Sequence, residues 1–332
     1  MNFIRRDFLK ILDFSEEELK FMLDTAKRLK EMKHNHVQHK YFPEKNIVIV
    51  FEKTSTRTRC SFEVAGYDLG MGVTYLDPSG SQMGHKESIA DTAKVLARFY
   101  DGIEFRGFKQ ETVNTLAENA DVPVWNGLTD DCHPTQALAD FMTMEEKLGE
   151  LKGKTLAFVG DTHNNVSNSL MAMSAKMGVN YIACGPESLK PGEEILRECL
   201  PIAEKNGATI TVTEDLGALD NTADAIYADV WLSLGEPKEK WGERIRLLEP
   251  YRVTMEMMER ARPGAIFLHC LPSFHDLNTS VAKGVYDEFG LREMEVTDEV
   301  FNSERSVVFD EAENRLHTIK AVMYLTLGGE EK

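Results

Sequence analysis

The sequence predicts an α/β protein with two doubly wound parallel-sheet domains that face each other across a cleft and are joined by helices. Short apolar, β-branched segments alternate with longer amphipathic segments, which is the pattern of parallel sheets covered by helices. Several of the predicted strands end in reactive polar residues. A polar, glycine-bearing segment, residues 148–154, separates two such α/β series. At 332 residues, the chain has room for two domains with sizeable cores.

The domain boundaries follow from that segment and from the last helix. The first domain is predicted over residues 1–147 and the second over residues 148–310. Residues 311–332 are predicted to hold a C-terminal helix, ended by Gly328 and Gly329, that packs back on the first domain.

The elements of the first domain follow in order. Ser15 and Glu18 form a capping box that starts the first helix. Strands are predicted over residues 47–51, 72–76, 102–106 and 122–126, and a helix over residues 89–100. Another helix begins at Pro134, which suits a first helical turn.

The second domain repeats this alternation. Strands are predicted over residues 155–161, 180–184, 208–212, 225–230 and 265–269. A helix is predicted over residues 165–177, and the closing helix runs from Ala312 to Leu327.

The overall charge restricts the partners. The formal net charge of −17 disfavours wholesale binding to nucleic acid or to an anionic membrane, so neither is expected as a partner. No apolar segment approaches the length that spans a bilayer. An anion would have to bind in a local basic pocket.

Cysteine and histidine spacing bears on compartment and metal. The cysteines show no zinc-ligand or CxxC spacing, so free thiols in a reducing cytoplasm are predicted. The histidines lack HExxH spacing, so neither a metal nor a cofactor is expected. The sequence also contains no nucleotide-binding or hydrolase motif with the required spacing and structural context. The cysteines are Cys60, Cys132, Cys184, Cys199 and Cys270.

The chain is organised around Ser55-Thr56-Arg57-Thr58-Arg59, placed where a strand turns into a helix. Backbone N–H groups at a helix start lack intrahelical partners and lie at the positive end of the dipole. With hydroxyls and guanidiniums added, the turn suits a phosphate dianion. The alternative is an arginine pair on a solvated helix end with a Ser/Thr cap.

Three further places carry polar residues at strand ends. Arg106 ends the third predicted strand, and His133 and Gln136 stand at the start of the helix after the fourth. The long polar loop after the second strand contains Gln82 and is typical of a functional loop.

These residues resemble the aspartate/ornithine carbamoyltransferase family over essentially the whole chain. Residues 55–59 resemble its carbamoyl-phosphate signature, and residues 133–136 its second motif. Residues 229–235 and 269–272 resemble the motifs that separate ornithine from aspartate enzymes. The family usually has methionine where this chain has Leu234, a nearly volume-conserving difference.

The resemblance implies that carbamoyl phosphate and L-ornithine give L-citrulline and phosphate, either in arginine synthesis or, in reverse, in arginine breakdown. It also implies a homotrimer, sometimes assembled further. Residues 1–147 would then bind carbamoyl phosphate and residues 148–310 ornithine. Gln82 would reach into a neighbouring subunit's site; without the resemblance it is only part of a flexible loop.

The resemblance also assigns the carbamoyl-phosphate contacts. Ser55, Thr56, Arg57 and Thr58 would take the phosphate, and Arg106 would bridge phosphate and carbonyl oxygen. His133 would donate to the carbonyl oxygen, unless it is a packing histidine. Acceptors for the carbamoyl NH₂ would be Gln136 and the carbonyls of Cys270 and Leu271. Arg315 would be a further arginine of this pocket, unless it is a surface helix residue.

The second substrate must attack as a neutral amine, which costs about 4–5 kcal/mol for a group with the pKa of lysine. Asp229 and Cys270 could accept or relay that proton, and Asp229 also suits the α-ammonium group. Cys270 could instead be a small buried hydrophobe. The amino-acid head group would be held by Asn165, Ser233 and the Leu234 backbone.

Two alternatives stay open. One is a carbamoyltransferase for another amine, such as putrescine or an N-acylated ornithine. The other is a non-catalytic paralogue that binds carbamoyl phosphate or phosphate for regulation. A panel of amine substrates would identify a carbamoyltransferase for another amine. Anion binding without product would indicate the regulatory paralogue.

Overall fold

The computed structural model describes residues 1–80, 83–84, 86–232 and 238–329. The chain divides into two compact units. Unit 1 comprises Met1–Met142 and Glu313–Lys332, and unit 2 comprises Thr143–Ala312. Each unit is a parallel-sheet α/β domain, which confirms the predicted fold class.

Within its described residues, unit 1 is built on a four-stranded parallel sheet of order β2-β1-β3-β4. Buried apolar residues such as Val48, Ile103 and Val113 form its core. Its strands are β1 (Asn46–Phe51), β2 (Gly72–Leu76), β3 (Gly102–Arg106) and β4 (Val124–Leu128); its helices are α1 (Glu16–His34), α2 (Thr56–Leu69), α3 (Ile89–Phe99), α4 (Gln110–Asn119), the start of α5 (Pro134–Leu148) and most of α12 (Val308–Thr326).

The described part of unit 2 contains a five-stranded parallel sheet of order β7-β6-β5-β8-β9. Val159, Ile226 and Phe267 belong to its core. Its strands are β5 (Thr155–Val159), β6 (Asn180–Cys184), β7 (Ile210–Thr213), β8 (Ala225–Ala228) and β9 (Ile266–Leu268); its helices are α6 (Asn165–Met177), α7 (Glu193–Asn206), α8 (Trp241–Leu248), α9 (Met255–Arg260), α10 (Ser280–Phe289) and α11 (Asp298–Phe301).

Most predicted elements are present, and the differences lie at their ends. The capping box exists: Ser15 accepts from the Glu18 backbone while the Glu18 side chain accepts from the Ser15 backbone. Strand β4 starts two residues later than predicted, at Val124, because Pro123 has no N–H for the ladder. Helix α12 starts at Val308, earlier than the predicted Ala312, because the preceding Val307 is not a capping residue that would mark a helix start.

Among the described residues, no helix has both the length and the apolar character required to cross a bilayer.

Candidate functional site

The order of the unit 1 sheet creates a crevice at the carboxyl ends of β1 and β3. Strand β1 lies between β2 and β3, so the connections after β1 and β3 leave in opposite directions. Ligands of open parallel sheets bind outside such a switch point. The final residues of the two strands, Phe51 and Arg106, are direct partners in the ladder.

The connection after β1 ends at the N-terminus of α2. Ser55 is the N-cap, and its hydroxyl accepts from the Thr58 backbone N–H at 3.2 Å. Thr56 and Arg57 occupy the first turn, which contains no acidic side chain. The turn therefore offers backbone N–H groups, hydroxyls and a guanidinium at the positive end of the helix dipole.

Thr58 connects this helix start to two arginines. Its hydroxyl is buried and accepts from Arg315 at 2.9 Å and from Arg106 at 3.3 Å. Arg106 also donates to the Lys53 carbonyl at 3.2 Å. Arg315 is only 2% exposed, so it is a buried residue and its alternative as a surface helix arginine is wrong.

His133 lies in the electrostatic field of these arginines. It directly precedes α5 and is 3% exposed. Burial and the positive charges of Arg315, Arg106 and Arg57 hold the pKa of His133 well below its usual range. The imidazole is therefore neutral at physiological pH, and a neutral ring carries one donor and one acceptor nitrogen.

Gln136 is fixed by its own helix. Its side-chain amide donates to the Asp140 carboxylate at 2.8 Å, one turn further along α5, and both residues are buried. The contact orients the amide with its nitrogen toward Asp140.

A buried carboxyl group lies beneath this basic cluster. Glu104, on β3, is fully buried, and burial raises its pKa well above the ordinary value against the opposing charges of Arg106 and Arg315. Across the described residues, no side chain donates a hydrogen bond to its carboxylate oxygens. Glu104 therefore favours its protonated form, which leaves the arginine charges available to an anion.

A separate cavity of about 440 Å³ opens on unit 1 beside the switch point. Its lining includes Phe51, Met83, Phe108 and Lys109. It does not include the arginines that contact Thr58 or His133, so we do not assign the anion to it.

Unit 2 has an equivalent switch point between β5 and β8. Strand β5 lies between β6 and β8, with α6 starting after β5 and Asp229 following β8. The N-cap of α6 is Asn164, whose side chain accepts from the Ser167 backbone at 2.8 Å and donates to Asp229 at 3.2 Å. The helix start thus fixes one oxygen of Asp229.

The other oxygen of Asp229 contacts a thiol. The Cys270 Sγ donates to Asp229 Oδ1 at 3.1 Å, and the Val230 backbone N–H donates to the same oxygen at 2.8 Å. Burial raises the pKa of Asp229, although His269 and the Cys270 thiol oppose the rise. A carboxylate with a raised pKa is a better proton acceptor than an ordinary aspartate.

Asp229, His269 and Cys270 bring three possible metal-ligand atoms together. The His269 ring is hydrogen-bonded at one nitrogen: Nδ1 accepts from the Leu271 backbone at 2.9 Å. Its Nε2 lies 3.3 Å from Glu295 but makes no hydrogen bond among the described residues.

Leu271 has a backbone conformation uncommon for a branched residue. Its φ is 56°, and its bond to Pro272 is cis. A side chain in the left-handed region is strained, and such strain concentrates at functional sites. The conformation sets the direction of the carbonyls that follow β9.

The structure thus gathers the predicted residues of each unit separately. In unit 1, Thr58, Arg106 and Arg315 are in contact and His133 lies within range of their charges. In unit 2, Asp229 and Cys270 are in contact. Asn165 begins α6. Gln82, Ser233 and Leu234 lie outside the described residues.

Sequence reasoning missed three contributors: Glu104, Asp140 and Asn164. Each touches or influences a predicted residue. Two local signals existed, since Asn164 stands three residues before Ser167 as an N-cap does and Asp140 lies one turn from Gln136. Glu104 gave a weaker signal, an acidic residue inside an apolar strand segment.

Comparison with known proteins shows that the chain is a carbamoyltransferase. The family model described as the carbamoyl-P binding domain of aspartate/ornithine carbamoyltransferase matches residues 6–146. The model described as the Asp/Orn binding domain matches residues 152–326. The chain belongs to the aspartate/ornithine carbamoyltransferase family.

Individual relatives are similar over nearly their whole length. A catabolic ornithine carbamoyltransferase of Treponema denticola is 59% identical over 322 residues, which is 97% of this chain and 95% of the relative. An ornithine carbamoyltransferase of Staphylococcus aureus strain Mu50 is 53% identical, covering 98% of this chain and 99% of that protein. The solved ornithine carbamoyltransferase of Pyrococcus furiosus superimposes with a TM-score of 0.90 at 39% identity, covering 100% of both chains.

Proposed function

We infer that the chain transfers the carbamoyl group between carbamoyl phosphate and the δ-amine of L-ornithine, giving L-citrulline and phosphate. It is a transferase of arginine metabolism. One observation carries the residue assignments. Arg106 and Arg315 both donate hydrogen bonds to the Thr58 hydroxyl at the N-terminus of α2, and their positive charges act on His133.

We assign carbamoyl-phosphate binding to unit 1. The phosphate would occupy the α2 N-terminus, where Ser55, Thr56, Arg57 and Thr58 supply N–H groups, hydroxyls and one guanidinium. Arg106 and Arg315 add two further guanidiniums, whose planar forks suit phosphate oxygens. These positive groups stabilise the charge that grows on phosphate as it leaves.

His133 and Gln136 would act on the carbamoyl end. A neutral His133 donates one N–H to the carbonyl oxygen, where negative charge develops during attack. Because its pKa is already low, the ring does not gain a proton in the working pH range and its donor stays in place. Gln136, held by Asp140, would accept from the carbamoyl NH₂ through its amide oxygen.

We assign ornithine to unit 2. Asp229 and Cys270 form the acceptor for the proton that the δ-ammonium group must lose, and the raised pKa of Asp229 suits this step. Asn164 holds the carboxylate in place. We propose that Asn165, Ser233 and the Leu234 backbone bind the amino-acid head group, which would divide the substrates between residues 1–147 and 148–310.

We propose a homotrimer as the working assembly, with Gln82 completing a neighbouring subunit's site. We also place the protein in the cytoplasm. The cysteines support this compartment, since none of the described cysteines forms a disulfide and disulfide formation is rare there.

The test is citrulline formation by purified protein from carbamoyl phosphate, with ornithine, putrescine and an N-acylated ornithine as competing amines. We expect turnover with ornithine and at least about tenfold lower kcat/KM with the other two, because each lacks a free α-amino acid head group. Preference for another amine would correct the substrate. Calorimetric binding of carbamoyl phosphate with no product from any amine would indicate a regulatory paralogue.

A further inference from the structure

A second group of chemically active side chains lies at the end of α1 against α12, within unit 1. His34 is the last residue of α1, and Glu313 and His317 lie one turn apart on α12. The Nε2 of His34 is 2.7 Å from Glu313 Oε1, and the Nε2 of His317 is 3.6 Å from the same oxygen. One possible ligand atom from each residue lies within 4.8 Å of the other two.

His317 is the unusual member of the group. Its ring is fully buried, yet neither ring nitrogen has a hydrogen-bond partner in the described part of the chain. Buried polar groups almost always have a partner, and each exception calls for an explanation such as an ion. The Glu313 oxygen near Nε2 is beyond hydrogen-bonding distance, so the ring nitrogen is directed into the group without being satisfied by it.

We propose that His34, Glu313 and His317 bind one divalent first-row transition cation, of which Zn²⁺ is the representative. Two imidazoles and one carboxylate are a ligand set that zinc takes in proteins. Tetrahedral zinc with bonds of about 2.0–2.1 Å places its ligand atoms about 3.4 Å apart. The two separations in the structure, 2.7 and 3.6 Å, lie on either side of that value.

The exposure of the ligands leaves room for entry and for a fourth ligand. The side chains of His34 and Glu313 are 55% and 41% exposed, whereas His317 is buried beneath them. A cation would therefore enter from solvent, and water would complete the coordination.

The ligand atoms select the kind of cation, and nearby charges set how strongly it must be held. Lys30 and Lys320 face the group; Lys30 donates to Asn314 and Lys320 to Asp68. These ammonium groups oppose any divalent cation, so the site needs strong ligand bonds, and Mg²⁺ and Ca²⁺ prefer oxygen ligands. Nitrogen ligands favour zinc, nickel, cobalt and copper instead.

The structural consequence is a clamp between two helices far apart in sequence. Residue 34 ends α1, and residues 313–317 lie in the part of α12 that belongs to unit 1. A cation bound only by the folded chain stabilises it by mass action. None of the three ligands is among the residues assigned to carbamoyl transfer, so the site would act on stability and leave turnover unchanged.

The experiment is zinc binding to metal-free protein by calorimetry and by melting temperature, in a Cys270→Ser background that removes the thiol beside Asp229. His34→Ala and Glu313→Gln are the test variants, and both positions are exposed enough to tolerate the change. His36→Ala, two residues beyond His34 and also exposed, is the matched control.

We expect one zinc per chain and a zinc-dependent rise in melting temperature in the background and in the His36→Ala control. His34→Ala and Glu313→Gln should each lose affinity about tenfold or more, since even changes outside the ligand shell cost 10–100-fold. With Cys270 intact, His34→Ala should form citrulline at the unaltered rate. Equal zinc affinity in His34→Ala and His36→Ala, or no binding in the background, would overturn the proposal.

Discussion

At the scale of single residues, the most informative side chains are buried and ionisable. His133 and Glu104 both have shifted pKa values, in opposite directions and for a shared reason. Burial disfavours the charged form of each, so the histidine loses its proton more easily and the glutamic acid holds its proton more firmly. The result is a pair of neutral groups among arginines, which keeps the positive field intact for a dianion.

Replacing His133 by Ala should lower kcat about 10²-fold, the usual cost of removing one donor to a developing oxyanion. His133→Gln retains an N–H donor and should lose less. Steady-state citrulline formation measures both. Because His133 is neutral well below physiological pH, any acid limb of the wild-type profile must persist in His133→Gln; a limb that disappears would contradict the assigned protonation state.

Replacing Glu104 by Gln should change how stability depends on pH. With its pKa raised above the unfolded value, the folded chain binds more protons than the unfolded chain between the two values, and the free energy of unfolding falls as pH rises there. Glutamine removes that fall, which amounts to as much as about 1.4 kcal/mol per pH unit inside the window.

Denaturant unfolding from pH 5 to pH 9 measures this effect. We expect Glu104→Gln to gain stability over the wild type as pH rises, whereas Glu118→Gln, at an exposed position on α4, should run parallel to the wild type. Parallel curves for both variants would mean that Glu104 ionises normally.

At the scale of the element, the proposed carbamoyl-phosphate site would give α2 a binding role at the same end that Ser55 stabilises as a cap. Ser55 caps α2 through the Thr58 backbone, as Ser15 caps α1 through the Glu18 backbone. Alanine at either position should cost about 1 kcal/mol of stability. Only Ser55→Ala should also raise the KM for carbamoyl phosphate, roughly tenfold for the loss of one charge-assisted hydrogen bond.

The pair is compared by thermal melting and by kinetics with carbamoyl phosphate varied. Ser15→Ala is the control for loss of a cap, because it removes the N-cap hydroxyl of another helix. If the two variants lower the melting temperature alike and neither changes the KM, the α2 N-terminus does not hold the phosphate.

Local signals explain which elements could be predicted. The start of α2, the cap of α1 and most strands follow from apolar period and cap chemistry, which depend on neighbouring residues. The predicted starts of β4 and α12 were wrong, because Pro123 shortens the strand and no capping residue precedes the helix. The Thr58 contacts with Arg106 and Arg315 could be placed only through the family resemblance, since 48 and 257 residues separate the partners.

The same limit hid the group formed by His34, Glu313 and His317. Its i,i+4 pair on α12 has no metal-binding signature by itself, and the third residue lies 279 positions from Glu313. Asp229 and Asn164 are likewise joined across 65 positions by the order of the sheet. Contacts of this kind depend on how the elements are arranged in space, which local sequence patterns do not reveal.

At the scale of the whole molecule, the assembly determines whether one chain contains a complete site. If Gln82 enters a neighbour's site, the Gln82→Ala substitution inactivates only the site of the neighbouring chain. The Cys270→Ser substitution inactivates the site of the chain that carries it. Each variant alone should be nearly inactive. Mixed trimers, however, contain sites in which an intact Cys270 meets an intact Gln82.

Equal amounts of the two variants, unfolded and refolded together, should therefore recover citrulline formation to about one quarter of the wild-type value per site. Random mixing in a closed ring gives an intact Cys270 and an intact Gln82 to about one site in four. The variants refolded separately and then combined are the control and should stay inactive. The mass in solution must be that of a trimer or a multiple of it. Recovery that does not exceed the control would place Gln82 outside the shared site, and a monomeric mass would remove the basis for a shared site altogether.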